Sequence, residues 1–306
     1  MVVITFDRVC GDGHNQDYNL PLAIQMSNSE NITVTRIETL NQFEDLREIW
    51  SNLLAQSSHR DIFLTWEWLF AWWKNIDQFE NQLWILLFHE GERLIGIAPL
   101  MLGKKKRLSI PFRWLGNIGN CDIGGMITLD SDKTMPALFN YLQEHKNQWD
   151  VFEFSELNSD SLFTQQFIQF ANASQNFVYI HENQHFYIPL TDVSWDDYYN
   201  NLSKNMKHNL KRRMKRLAEM GDVKFNKYIG ETLQWQHFEQ VFAVNKNSHF
   251  PQTYQPERQQ AFHREMFELM REKGWIQIET LTVNERPIAF QYGFVTKIAM
   301  KIGGAE

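Results

Sequence analysis

Apolar and polar residues alternate in ITVTRI (32–37) and again in VKFNKYI (223–229), the period of a half-buried strand. Each run leads into a stretch with apolar residues three and four apart, Gln42 to Gln56 and Trp235 to Asn247, the period of an amphipathic helix. A second helix follows in each place, Trp66 to Asn75 and Pro256 to Lys273, the latter opened by a proline suited to a helix start. Two apolar runs broken by turn residues then read as hairpins. LWILLFHEGERLIGIAPLML turns at Glu90-Gly91, and IQIETLTVNERPIAFQYGFV turns around Asn284-Glu285.

The two halves also share residues at one offset. Glu38-Thr39-Leu40 recurs as Glu231-Thr232-Leu233 and Glu92-Arg93 as Glu285-Arg286, each 193 positions on. After its hairpin the first half continues with a basic turn GKKK, a strand from Leu108 to Leu115, the loop GNIGNCDIGG and a strand MITL. A helix from Pro136 to Lys146, the strand VFEFSEL and a helix from Leu162 to Ala171 follow. The last two strands, FVYI and FYIPL, are expected to be joined by a turn at Glu182 to Gln184, and the half closes near Leu190. The chain is thus expected to comprise an N-terminal extension (1–30), a first domain (31–190), a basic inter-domain helix (191–222) and a partial second domain (223–306). The fold class is α/β (α+β): tandem domains, each a mixed, mostly antiparallel sheet flanked by helices. The second copy is expected to be incomplete, because the counterpart of Leu190 would fall beyond Glu306.

Charge changes this picture at one place. The chain has 30 Lys and Arg against 37 Asp and Glu, a net charge of −7, yet seven of the cations lie between Lys204 and Arg216 with no acid among them. A nucleic-acid binder spreads positive potential over a face; here it is confined to this segment and to KKKR at 104–107, which argues against nucleic acid. Leu202, Met206, Leu210, Met214 and Leu217 form a helical stripe with Ser203 as N-cap, expected to dock the helix and turn its cations outward or into a cleft. The stripe lacks aromatic anchors, which argues against membrane insertion. Arg forks suit phosphate groups, so Lys207, Arg212 and Arg213 are candidates for holding an anion, with a solvated face as the alternative.

No apolar run approaches the ~18 residues of a membrane helix; the nearest, FLTWEWLFAWW, is shorter and contains Glu67. Two cysteines, Cys10 and Cys121, imply no disulfide framework, and the N-terminus lacks a signal pattern, so the expected compartment is the cytoplasm.

HENQH (His181–His185) matches the zinc-protease pattern, which needs a helix to bring its two His about 6 Å apart. Its flanks are strand-like, and on a strand His181 and His185 lie roughly 13 Å apart, so a zinc hydrolase through His181, Glu182 and His185 is the weaker reading and no metal is expected. In LGNIGNCDIGG no G-K-[ST] follows to make a phosphate cradle, and Cys121 has no local cation to activate it. Trp66, Trp68, Trp72 and Trp73 could stack on a sugar or acyl chain, or line a core; Trp66 is the binding candidate among them.

The phrases FLTWEWLFAWWKN, RLIGIAPLML, LGNIGNCDIGG and LSKNMKHNLKRRMKRL, in that order over roughly Ile32 to Val295, resemble the GNAT-fold acetyltransferases of the CelD/BcsL type, distantly FemAB-like. That family is associated with cellulose and exopolysaccharide biosynthesis. The resemblance implies acetyl transfer from acetyl-CoA to an amine or hydroxyl of a polysaccharide or cell-envelope precursor. Asp122 matches an acidic loop position of the family and is the catalytic candidate, positioned to orient an amine or take its proton. In this fold the pyrophosphate rests on a glycine-bearing loop at a helix N-terminus. TLDSDKTMPAL, with two acids and no glycine, fits that role poorly, so the first copy reads as a scaffold, and an incomplete second copy would leave the chain inactive by itself. The competing reading is a non-catalytic polysaccharide- or partner-binding protein.

Overall fold

The computed structural model describes residues 2–9, 32–119, 124–158, 161–174, 178–185 and 193–295, and divides the chain into two compact units, Met1–Phe186 and Tyr187–Thr296. Among the described residues no helix is long and apolar enough to cross a membrane.

The first unit runs β1 (Val2–Val9), β2 (Ile32–Ile37), α1 (Leu40–Asp45), α2 (Arg47–Gln56), α3 (Trp66–Asn75), β3 (Gln82–Glu90), β4 (Arg93–Arg107), β5 (Ile110–Asn117), β6 (Ile127–Thr128), α4 (Ser131–Glu144), β7 (Val151–Asn158), α5 (Leu162–Ala173) and β8 (Val178–His185). Its sheet has the order β2-β3-β4-β5-β7-β1-β8, with β6 on β4. The β2 to β5 ladders are antiparallel and those joining β5, β7, β1 and β8 are parallel. The sheet is therefore mixed, with helices packed on it, as the resembled fold implies.

The core follows from those patterns. Trp84, Leu86 and Phe88 of β3 and Phe152 and Phe154 of β7 pack with Leu138 and Leu142 of α4 and Phe163 and Phe167 of α5. Phe154 meets Phe163 and Phe167 at ring distances of 6.0 and 5.0 Å. Such contacts between aromatic rings add to the burial of their apolar area.

Three local expectations are corrected. GKKK is not a turn: β4 runs through it to Arg107, and the reversal falls at Leu108-Ser109, both at positive φ (50° and 69°). The helix expected over Gln42–Gln56 is two helices divided at Leu46, the first begun by a reciprocal Thr39–Gln42 capping box. The helix expected from Pro136 begins at Ser131, where the Asp130 carboxylate caps the Lys133 amide, so Pro136 lies inside it.

A fourth correction concerns HENQH. FVYI and the histidines do not flank a turn; Val178 to His185 is one strand, paired in parallel with β1 from Val2↔Val178 to Val9↔His185. The sequence reading left residues 1–30 outside the fold and so had no partner for a longer strand. With the segment extended, His181 and His185 are separated by about 13 Å of strand, too far for one metal. Phe186 to Leu190 fall outside the described residues.

The second unit runs α6 (Trp195–Asn201), α7 (Lys204–Ala218), β9 (Val223–Ile229), α8 (Trp235–Asn245), α9 (Glu257–Met270), β10 (Ile276–Val283) and β11 (Arg286–Phe294). Its sheet is β11-β10-β9, antiparallel throughout. The buried residues Phe238 and Val241 of α8, Phe262, Met266 and Met270 of α9, and Ile276 and Ile278 of β10 form its core.

The two hairpins agree in detail. In β3–β4, Leu87 faces Ile97 and Ile85 faces Pro99, and a bulge falls between Phe88 and His89. In β10–β11, Thr280 faces Phe290 and Ile278 faces Tyr292, and the bulge falls between Leu281 and Thr282. Each of these positions in the second hairpin is 193 beyond its counterpart in the first. A bulge fixes register and local twist, so the shared bulge extends the sequence offset to backbone geometry.

Candidate functional site

The basic segment forms α7, with the Ser203 hydroxyl accepting from the Met206 amide as its N-cap. The expected docking stripe is corrected: no residue of α7 is buried, and Met206 and Met214 are 51% and 67% exposed. The stripe is too narrow, and interrupted by too many cations, to be drawn into a core.

Its candidate anion ligands also do not converge. At 100° per residue, Lys207, Arg212 and Arg213 project roughly a third of a turn apart around the axis, so one phosphate cannot meet all three from this helix. Lys207 donates to the Asn200 carbonyl (2.8 Å) and Arg212 to the Asn209 side chain (3.1 Å). The residues that do share a flank are Lys204, Lys207, Lys211 and Lys215, which fall within a band of about 80°. Lys215 lies at 4.0 Å from Glu219, both well exposed, so that pairing is weak.

The second unit holds a buried His–Tyr pair that sequence reasoning missed. His263 of α9 is 6% exposed, and its Nδ1 lies 3.3 Å from the Tyr292 hydroxyl of β11. The Tyr254, Phe242 and Phe238 rings surround the imidazole at 5.1, 5.8 and 6.1 Å. Burial pushes His263 down to about 4 and the Tyr292 hydroxyl well above its ordinary value, so at neutral pH the imidazole is uncharged and the phenol protonated. Thr280 (1% exposed) and Asn245 (7%) each bury a side-chain oxygen without a hydrogen bond. The only sequence signal was a His on the apolar stripe Phe262, Met266, Phe267, Met270, a pattern that an ordinary core histidine also produces.

In the first unit, Gly119, just after β5, lies over α3. Asp77 accepts from the Gly119 amide at 3.0 Å, and burial raises its carboxyl despite that bond. Gly119 has φ +90°, and a Cβ there would lie 3.6 Å from the Trp68 indole nitrogen. His59 Nε2 lies 3.4 Å from the Gly124 carbonyl and is held below its ordinary pKa by burial. β5 pairs with β7 only from Trp114 to Gly116, beyond which the Gly124 amide donates to Glu156 of β7 at 2.7 Å. A Cβ on Gly124 would fall 2.2 Å from the Ser155 carbonyl, so this approach requires glycine. Asp122 and Cys121 lie outside the described residues.

Trp66 is corrected as a binding candidate. It is 3% exposed, donates its indole N–H to the Phe43 carbonyl (2.9 Å) and stacks on Phe70 at 4.3 Å, leaving no ring face for a ligand. Among the described residues no group of three or more His, Cys, Asp or Glu is placed to hold a metal ion.

Comparison with known proteins singles out the second unit. The profile of a family described as "Acetyltransferase (GNAT) domain" matches residues 204–299, from the first residue of α7 through β11. No curated protein matches the chain. Among solved structures it is similar to FemX (TM-score 0.46, 12% identity, 82% of this chain and 58% of that one). It is also similar to the aminoglycoside acetyltransferase meta-AAC0020 from an uncultured soil metagenomic sample, solved with sisomicin (TM-score 0.29, 10% identity, 54% of this chain and 99% of that one). The chain therefore spans less than two thirds of the length of FemX.

Proposed function

We propose that the chain is a cytoplasmic acyltransferase of the GNAT type, transferring acetyl from acetyl-CoA to an amine or hydroxyl of a polysaccharide or cell-envelope precursor. The observation that carries this reading is the match of residues 204–299 to an acetyltransferase domain. The CelD/BcsL resemblance supplies the acceptor class, and the shared hairpin register favours a tandem arrangement.

In the proposed reaction the acceptor nitrogen or oxygen attacks the thioester carbonyl, the carbon–sulfur bond breaks, and the acceptor's proton passes to a base while the thiolate leaves. Positioning supplies much of the rate in such a transfer. The Lys204, Lys207, Lys211 and Lys215 flank fits the phosphates of a CoA thioester in charge. The N-terminus of α4 does not: Asp130 already caps it, and Asp132 adds a second negative charge in the first turn. For the proton, the sequence offers Asp122, and the second unit offers His263, uncharged beside Tyr292.

The test is acceptor-dependent release of free thiol from acetyl-CoA, measured with amino-sugar and polyol acceptors. Turnover that falls in Asp122→Asn or in His263→Gln would assign the base. Absence of both CoA binding and thiol release would overturn the reading, whereas binding without turnover would mark a non-catalytic relative.

A further inference from the structure

A second place in the molecule has the features of a ligand site, and it lies wholly in the first unit. Between edge strand β2 and the C-terminal half of α4 there is an open cavity of about 540 Å³. That falls within the range of small-molecule sites. We propose that this groove binds an organic ammonium ion carried on an apolar or ring-shaped body.

The pattern of β2 builds one wall: Ile32, Val34, Arg36 and Glu38 alternate onto the same side. The opposite wall is one face of α4, where Ala137, Tyr141 and His145 recur at helical spacing. Ile32, Val34 and Ala137 give an apolar floor. Tyr141 and His145 stack on each other at 4.0 Å, and of the two rings the half-buried His145 is the more exposed.

Charge decides the class of ligand. The cation in the groove is Arg36, and it is already engaged. Its guanidinium lies 4.1 Å over the Trp84 ring, donates to the Gln148 side chain at 3.1 Å and is ion-paired with Glu38. Glu144, at the rim, has no ion-pair partner among the described residues. α4 ends at Glu144, so the partial negative charge of its C-terminus falls at the same end. His145 Nδ1 lies 2.9 Å from the Tyr141 carbonyl and must donate to it. Two carboxylates, Glu38 and Glu144, thus line the groove against one cation that is already paired, and a neighbouring ring favours a cation through its π face.

Three probes of one shape test the proposal: benzylamine, benzyl alcohol and benzoate, each titrated calorimetrically into the full chain. Benzylamine is expected to bind about tenfold more tightly than the alcohol, and benzoate more weakly than either. Glu144→Gln, an exposed change whose folding is checked by its melting curve, is expected to weaken benzylamine about tenfold while leaving benzyl alcohol unchanged. Benzoate as the tightest ligand, benzylamine no tighter than the alcohol or silent, or an unaffected Glu144→Gln would each overturn it. No thioester enters the measurement, so its outcome is separate from that of the acyl-transfer assay.

Discussion

The β3–β4 and β10–β11 hairpins have the same register and the same bulge, but their inner faces are made of different residues. Where the first has Leu87 and Pro99, the second has Thr280 and Tyr292; on the preceding helix, 193 positions beyond Phe70, stands His263. Phe70 packs against Phe43 and Trp66 at 5.6 and 4.3 Å. His263 instead meets a phenol and carries the desolvation that lowers its pKa. A fold of this kind therefore needs neither the imidazole nor the hydroxyls to pack. Burying polar groups incompletely costs stability, which is the kind of departure expected where a site requires it. The inner face of the first hairpin is apolar, and that of the second carries a buried hydroxyl and a phenol.

The comparison can be broken most forcefully at the scaffold. Phe154→Ala removes a fully buried ring in contact with Phe152, Phe163 and Phe167. It is expected to destabilise the first unit by about 3–5 kcal/mol, read from denaturant unfolding. A cost near zero would mean that this aromatic core is loosely packed.

Acidification sharpens the comparison. The folded state holds His263 near 4 against an ordinary 6.5, so the unfolded chain takes up the proton first as pH falls. The stabilisation is whole above about pH 6.5 and is lost towards pH 4, a change of about 3 kcal/mol. His59 and His237 are also lowered by burial and act in the same direction. His263→Phe, which installs the residue found 193 positions earlier, isolates its share: the stability-versus-pH slope between 6.5 and 4 should flatten relative to the parent.

Smaller effects belong to the hairpin itself. Thr280→Val removes a buried hydroxyl without a partner and is expected to stabilise by about 1 kcal/mol in urea unfolding. At the turn, Gly91 (φ +60°) corresponds to Asn284 (φ +49°), whose side-chain oxygen also accepts from the Asp222 amide at 2.9 Å. Asn284→Gly keeps the turn but loses that bond, and a loss of about 0.5–1 kcal/mol in thermal melting is expected.

Much of the fold was legible because its signals are local. Alternation in ITVTRI and VKFNKYI, the spacing in α3 and α9 and the turn residues of both hairpins each act over a few positions. The errors came from long-range partners. Nothing in Val2–Val9 announces that it will pair with β7 and β8 across the chain, and without it Val178–His185 reads as a short strand running into a turn. The site was less legible. Spacing gave the helix of α7 and its flank of Lys204, Lys207, Lys211 and Lys215, but not that its apolar stripe stays unburied. A neutral His263 beside Tyr292 depends on burial, which sequence spacing alone does not measure.

The central claim, that the second unit receives an acyl-CoA through the lysine flank of α7, is tested most directly by titrating CoA into the full chain at low and high salt. Lys204→Gln with Lys211→Gln and Lys215→Gln should weaken binding about tenfold at low salt, and high salt should weaken the parent towards the variant. Arg213→Gln, on another side of the same helix, should leave the affinity within about twofold. Equal losses in the two variants, or no CoA binding by the parent, would contradict the account.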